Sequence, residues 1–262
     1  MLPYALGAAG IVAFLLLARV ERGALEPVIS RALFLSRRFA AAMSAQLLVG
    51  GALIMALVTV PLMTDTVLGE SPLEGGLRLM RFTGAIPIGA IAGGYAARWL
   101  GPRIPTLVGL VIGALGLWLM STWDVSIQDP ALTLHLLTGG LGFGLVIAPL
   151  VVSAVDVADD AYRGTAAAWI TVARMLGMTL GLAALSAWGM GYFQLLTTDF
   201  AFPLGGSAEA LSAYEAGVTG AALDVFSAFF RAGAALSLVA IVPALFLPGR
   251  EGPGHTSTHS GV

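Results

Sequence analysis

What most constrains this chain is where its charges are missing. Seven uncharged runs, at 2–18, 39–64, 82–97, 104–123, 130–155, 175–198 and 232–249, occupy most of its 262 residues. A helix of ~20 residues crosses a hydrocarbon core ~30 Å thick, so most of these runs are long enough to span a bilayer. The shorter ones reach that length by extending into flanking helix that carries arginine. Composition agrees: 58% of the residues are hydrophobic, 11% are charged and the mean hydropathy is +0.90, well outside the range of soluble domains. A chain of this size cannot hide so many unbroken apolar runs inside one water-soluble core. In lipid every backbone group must be satisfied by a helix or a closed barrel, and runs without polar alternation select helices.

The basic residues are all arginine. Those in connections or the tail are Arg19, Arg22, Arg31, Arg37, Arg38, Arg98, Arg103, Arg163 and Arg250, on connections one, three and five and after the last run. The alternate connections carry Asp65, Glu70, Glu74, Asp124, Asp129, Asp199, Glu209 and Glu215. Arginine-bearing loops stay in the cytoplasm, which predicts seven spans with the N-terminus outside and the C-terminus inside. The net charge of -2 averages two unlike faces and implies no nucleic-acid partner. With no cysteine there is no disulfide and no thiolate metal site. Residues 1–18 lack the basic leader of a secretory signal and are expected to remain in the membrane.

The first cytoplasmic connection is amphipathic, with Val28, Leu33, Phe34 and Leu35 among arginines, and is expected in the headgroup plane. Six closely spaced helices follow, in two trios that each begin with a long run bearing a late proline, Pro61 and Pro149. Paired three-helix units of opposite orientation are a common transporter plan. The chain thus reads as an all-α membrane protein. An isolated transmembrane helix (1–20) and an amphipathic connector (21–38) lead into a six-helix 3+3 bundle (39–249) with a disordered cytoplasmic tail (250–262). Residues 199–224 are expected to form a long, partly helical outer loop. Glycines four apart at Gly89 and Gly93, Gly109 and Gly113, Gly140 and Gly144, and Gly177 and Gly181 mark close helix approach.

Enzyme motifs are absent, and His255 and His259, four apart in the tail without a third ligand, make no metal site. Arg174 stands out. It lies about 16 Å beyond Arg163 at ~1.5 Å per residue, near mid-bilayer, where a lipid-facing arginine costs ~2.5–3.5 kcal/mol. It is therefore expected to face a cavity, a carboxylate or backbone carbonyls. Arg78 and Arg81 are expected to reach outer headgroups. Gln46 is a lone buried polar group suited to hydrogen-bonding a substrate, with Met43 and Met55 as adaptable apolar contacts. No acidic residue lies deep in any run; Asp156 and Asp224 sit at run ends.

Several segments together resemble the C-terminal portion of the 14-helix multidrug efflux branch of the major facilitator superfamily. Val20 to Phe39 (VERGALEPVISRALFLSRRF) resembles the connector into its C-terminal bundle, and Ser71 to Arg78 (SPLEGGLR) the start of that bundle's second helix. Gly94 to Arg103 (GYAARWLGPR) is similar to the family's loop signature. Gly94, Gly101 and Arg103 match it, while Arg98 and Trp99 stand where it has aspartate and arginine. Tyr162 to Leu182 (YRGTAAAWITVARMLGMTLGL) resembles the helix with an arginine followed by a glycine pair, placing Arg174 on a family position. Nothing resembles the N-terminal bundle.

The resemblance implies half of a secondary transporter in the cell's inner (plasma) membrane. Its activity would be export of hydrophobic or cationic small molecules by proton antiport, with no cofactor beyond the proton gradient. Alternating access needs two bundles, so the expected partner is a missing N-terminal half, in the same longer chain or a separate one, or else a second copy of this chain. Met1 falls inside what the family has as a continuous helix, which favours a fragment or split half. The competing reading is a non-transporting subunit docked on a full-length transporter.

Overall fold

The computed structural model describes residues 31–198 and 207–249. The expected helix at 1–20, which would be the seventh span, most of the connector at 21–38 and the tail at 250–262 lie outside the described residues.

A short helix α1 (Arg31–Leu35) leads into six long ones: α2 (Arg37–Thr66), α3 (Pro72–Leu100), α4 (Arg103–Met120), α5 (Ala131–Asp156), α6 (Arg163–Thr197) and α7 (Ala208–Val239). A final turn, α8 (Ile241–Ala244), follows, and no strand occurs among the described residues. Local chemistry sets the ends. Ser71 and Glu74 form a reciprocal capping box around Pro72, and α3 stops at Gly101, whose φ of 76° a residue with a side chain would resist. The Ser207 hydroxyl accepts a hydrogen bond from the Ala210 amide and starts α7.

Helices α2, α4, α5, α6 and α7 are long and apolar enough to cross a membrane, so the protein is a multi-pass membrane protein. Helix α3, at 29 residues, has the length, but its glycines and arginines dilute its apolar character. Residues 199–206 lie outside the described residues, and the rest of the expected loop is corrected: Ala208–Val239 is one continuous helix. The reason is its alanine-rich sequence with an N-cap serine and an early glutamate. Charges at Glu209, Glu215 and Asp224 interrupt an apolar run without interrupting a helix. Asp224 is therefore well inside α7, on an exposed face.

The packing has an internal symmetry. Taking α2–α4 and α5–α7 as two trios, the first helix of each packs against the second and third of the other: α2 on α6 and α7, α5 on α3 and α4. The third helices, α4 and α7, also touch, as do the two first helices. Exchanging the trios maps this set of contacts onto itself, which is the geometry of two interlocked three-helix repeats.

Glycine sets the spacing at the closest crossings. A methyl added at Gly140 would lie 2.1 Å from the Phe82 carbonyl, and one at Gly89 2.4 Å from the Leu141 carbonyl, so α3 and α5 touch main chain to main chain. The equivalent α2–α6 crossing is the same. A methyl at Gly177 would lie 1.9 Å from the Leu47 carbonyl, and one at Gly50 2.2 Å from that of Arg174. Small residues permit this approach and dispersion rewards it. Between the crossings Phe39, Phe82, Phe143, Phe230, Met63 and Met120 fill the interior. The end of the connector docks on it too. Phe34 packs edge-on against Phe39 and Trp169, with ring centres 5.4 and 5.2 Å away.

Candidate functional site

The residues expected to line a substrate path converge on α2 and α6. Gln46 is fully buried, and neither its amide nitrogen nor its oxygen has a hydrogen-bond partner among the described residues. An unpaired amide in an apolar core costs on the order of 1–3 kcal/mol, so Gln46 is the least satisfied polar group on this helix. Met55 is buried and Met43 half-buried against the same core. Arg174 is half-buried on α6, and its side chain has no ion pair or hydrogen bond among the described residues. The carboxylate partner expected as one option is not found there. Its main chain is pressed on α2 at Gly50, one helical turn beyond Gln46.

The loop-signature residues lie together at the end of the bundle where α3 gives way to α4. Gly94 is in the penultimate turns of α3, Gly101 makes the left-handed turn and Arg103 opens α4. Arg98 projects from the last turn of α3.

At the opposite, acidic end, the expectation for Arg78 and Arg81 is corrected. Arg78 pairs with Glu70. Arg81 Nη1 lies 2.9 and 2.8 Å from the two Asp129 oxygens and 2.6 Å from Thr133 Oγ1. The capping box at Ser71 folds Glu70 back over α3, and the turn before α5 carries Asp129 to the same place, so protein carboxylates meet these guanidinium groups in place of lipid headgroups. The Thr133 hydroxyl, and after it Arg81, hold the Asp129 carboxyl below the usual carboxylate range. Nearby, Trp123 Nε1 donates to His135 Nδ1 at 2.9 Å, tying the α4–α5 turn to α5.

Sequence reasoning missed a cavity of about 460 Å³ between the acidic-end halves of α6 and α7, walled by Leu185, Gly189, Met190, Phe193, Phe226 and Phe229. Its lining is almost wholly apolar and its volume falls within the ~300–1,000 Å³ of small-molecule sites. Gly189 lets α6 approach the Phe229 ring at the cavity wall, where an added methyl would lie 2.3 Å from the ring.

Comparison with known proteins places this architecture. A triacylglyceride transporter of Mycolicibacterium hassiacum is 37% identical over 234 residues, covering 82% of this chain and 44% of the relative. A probable triacylglyceride transporter of Mycobacterium leprae is 40% identical over 195 residues, covering 70% of this chain and 38% of the relative. The chain thus spans less than half the length of the curated relatives it matches. Among solved structures, the xylose transporter XylE of E. coli in an inward-open conformation superposes with a TM-score of 0.56 at 16% identity, over 80% of this chain and 47% of that one. That likeness concerns the fold alone. The family and these named relatives are transporters, not enzymes. With residues 2–182 matching its description, the chain belongs to the Major Facilitator Superfamily.

Proposed function

We propose that the chain is the C-terminal half of a secondary active transporter of the plasma membrane that moves an uncharged, triacylglyceride-like lipid. The observation that carries this reading is the 37% identity over 82% of the chain to a triacylglyceride transporter. The cavity between α6 and α7 supports it, because an apolar lining suits acyl chains better than a cation. Of the hydrophobic and cationic substrates that the drug-efflux resemblance implies, the relatives' names favour the hydrophobic kind. Proton antiport remains part of the proposal through that resemblance, with the coupling carboxylate assigned to an N-terminal half. That half, in the same chain or separate, is the proposed partner, ahead of a second copy of this chain.

In this reading Gln46 and Arg174 supply the polar contacts of the path, one by hydrogen bonding and the other by charge, while Met43 and Met55 adapt to apolar substrate. Gly94, Gly101 and Arg103 shape the gating loop. Arginine-bearing turns face the cytoplasm, with the N-terminus outside and the C-terminus inside. The test is co-expression with an N-terminal six-helix half, reconstitution into vesicles and transfer of a fluorescent triacylglyceride. Transfer should need both halves and a pH gradient, and R174A should lower it without lowering membrane abundance. Absence of transfer from the assembled halves, with stable binding to an intact relative, would establish a docking subunit instead. A single cysteine introduced as R98C should react with an impermeant maleimide only from the cytoplasmic side.

A further inference from the structure

The turn between α4 and α5, at the acidic end of the bundle, is held at three points. Where it begins, the Ser227 hydroxyl of α7 donates to the Ser121 carbonyl at 2.9 Å. Where it ends, Arg81 of α3 holds the Asp129 carboxylate. Between them stands Trp123, which is only 3% exposed. Its indole N–H donates to His135 Nδ1 on α5 at 2.9 Å, and its ring lies edge-on to Phe230 of α7 with centres 5.7 Å apart. One side chain thus ties the turn to two helices.

The three ties answer a proton differently. A hydroxyl on a carbonyl does not titrate, and the Asp129 carboxyl lies below the usual carboxylate range, so both persist in mild acid. Histidine is the side chain whose ordinary charge change falls between about pH 5 and 8. The bond from Trp123 selects its neutral tautomer: Nδ1 keeps its lone pair and the ring proton sits on Nε2. A second proton can enter only at Nδ1, and an indole N–H can only donate. Protonation and the Trp123 bond are therefore mutually exclusive. Once Nδ1 is occupied, two N–H groups face each other in a buried site and the indole has to leave.

No carboxylate stands ready to pair with the new charge, since His135 has no ion pair among the described residues. At this end Asp65 closes α2, Arg78 and Arg81 lie on α3, Asp124 and Asp129 lie in the turn, and Asp224 and Arg231 lie on α7. The acidic-end halves of α4 and α6 carry no charged side chain. Several of these charges are already engaged: Arg78 by Glu70, Arg81 by Asp129, and Asp124 by the Ser126 hydroxyl, while Glu74 is spent on its cap.

We infer that His135 is a proton-binding site that works the α4–α5 turn as a latch, closed on Trp123 when the ring is neutral and released when it is protonated. With Ser121 and Asp129 still fixed, the segment between them is what moves, and the contact of Trp123 with Phe230 is lost with it. The inference rests on one hydrogen bond and not on the substrate or on the side of the membrane, so its failure leaves the proposed transport reading untouched.

The test is nitrogen-15 NMR of the histidine rings in the purified full chain, with H255Q and H259Q removing the other two histidines. At about pH 8 the His135 ring should carry its proton on Nε2 alone, and by about pH 5 on both nitrogens. Intrinsic fluorescence should fall over the same interval, because an imidazolium beside an indole quenches it, and W123F should lose that step. H135N keeps an acceptor near the Nδ1 position but cannot take up the proton, so it should hold the latch closed and erase the step; H135Q serves where H135N does not fold. The chain has no cysteine, so spin labels at V125C and A216C report the distance from the turn to α7, which should lengthen in acid in the parent chain and stay constant in H135N. A ring protonated on Nδ1 at the alkaline end, or still neutral at the acid end, would overturn the inference. So would a fluorescence step that survives in H135N, or label distances that ignore pH.

Discussion

The α4–α5 and α2–α7 crossings hold equivalent places in the two trios, yet they are built from different materials. At α4–α5 glycine meets glycine: a methyl at Gly142 would lie 2.2 Å from the Gly113 nitrogen, and one at Gly116 2.4 Å from the Gly139 Cα. At α2–α7 the glycines face side chains: a methyl added at Gly233 would lie 3.2 Å from the Met55 Cβ, and one at Gly51 3.4 Å from the Leu236 Cδ1. Backbone cannot step aside, whereas the end of a leucine can. The same topology thus contains one contact of fixed separation and one with give. A repeat can keep its architecture while the two copies divide rigidity and compliance between them.

Substitution at these glycines tests that contrast. Gly142→Ala should have the largest effect, a loss of about 3 kcal/mol or more, read as a collapse in folded yield and in the midpoint of reversible unfolding in mixed micelles. Gly233→Ala should cost about 1 kcal/mol in the same titration; equal losses at the two sites would erase the distinction. Gly191, exposed on α6 with nothing within 4 Å of an added methyl, should instead gain about 0.5 kcal/mol as alanine. The smallest effect concerns the acidic end. Because the Asp129 carboxyl titrates below its ordinary value of 3.8, its contribution is present above that value and fades as the pH falls through the lower folded one. D129N should flatten this acid limb, and salt should weaken it, since the pair with Arg81 is half in solvent.

Much of the bundle was legible because charge is so costly in lipid. The run at 39–64 became Arg37–Thr66, that at 104–123 became Arg103–Met120, and that at 130–155 became Ala131–Asp156. Charge and helix part company where a helix outlasts the hydrocarbon. Helix α6 starts at Arg163 and α7 at Ala208, because a charge that ends an apolar run is acceptable to a helix that has reached the headgroups. The glycine pairs were legible as close contacts, but their partners were not, since α5 meets α3 at Gly140 and α4 at Gly142, faces only two residues apart. Burial of Gln46 could be anticipated from its isolation among apolar neighbours. The pairing of Arg81 with Asp129, 48 residues away, could not, because nothing local links them.

The seat of the Arg174 carbonyl on Gly50 has a mechanical corollary. With no side chain between Gly50 and the Arg174 carbonyl to absorb a displacement, any group larger than hydrogen at position 50 must push α6 away from α2. In the proposed reading, that displacement would carry the Arg174 guanidinium with it, although the altered position lies on the other helix.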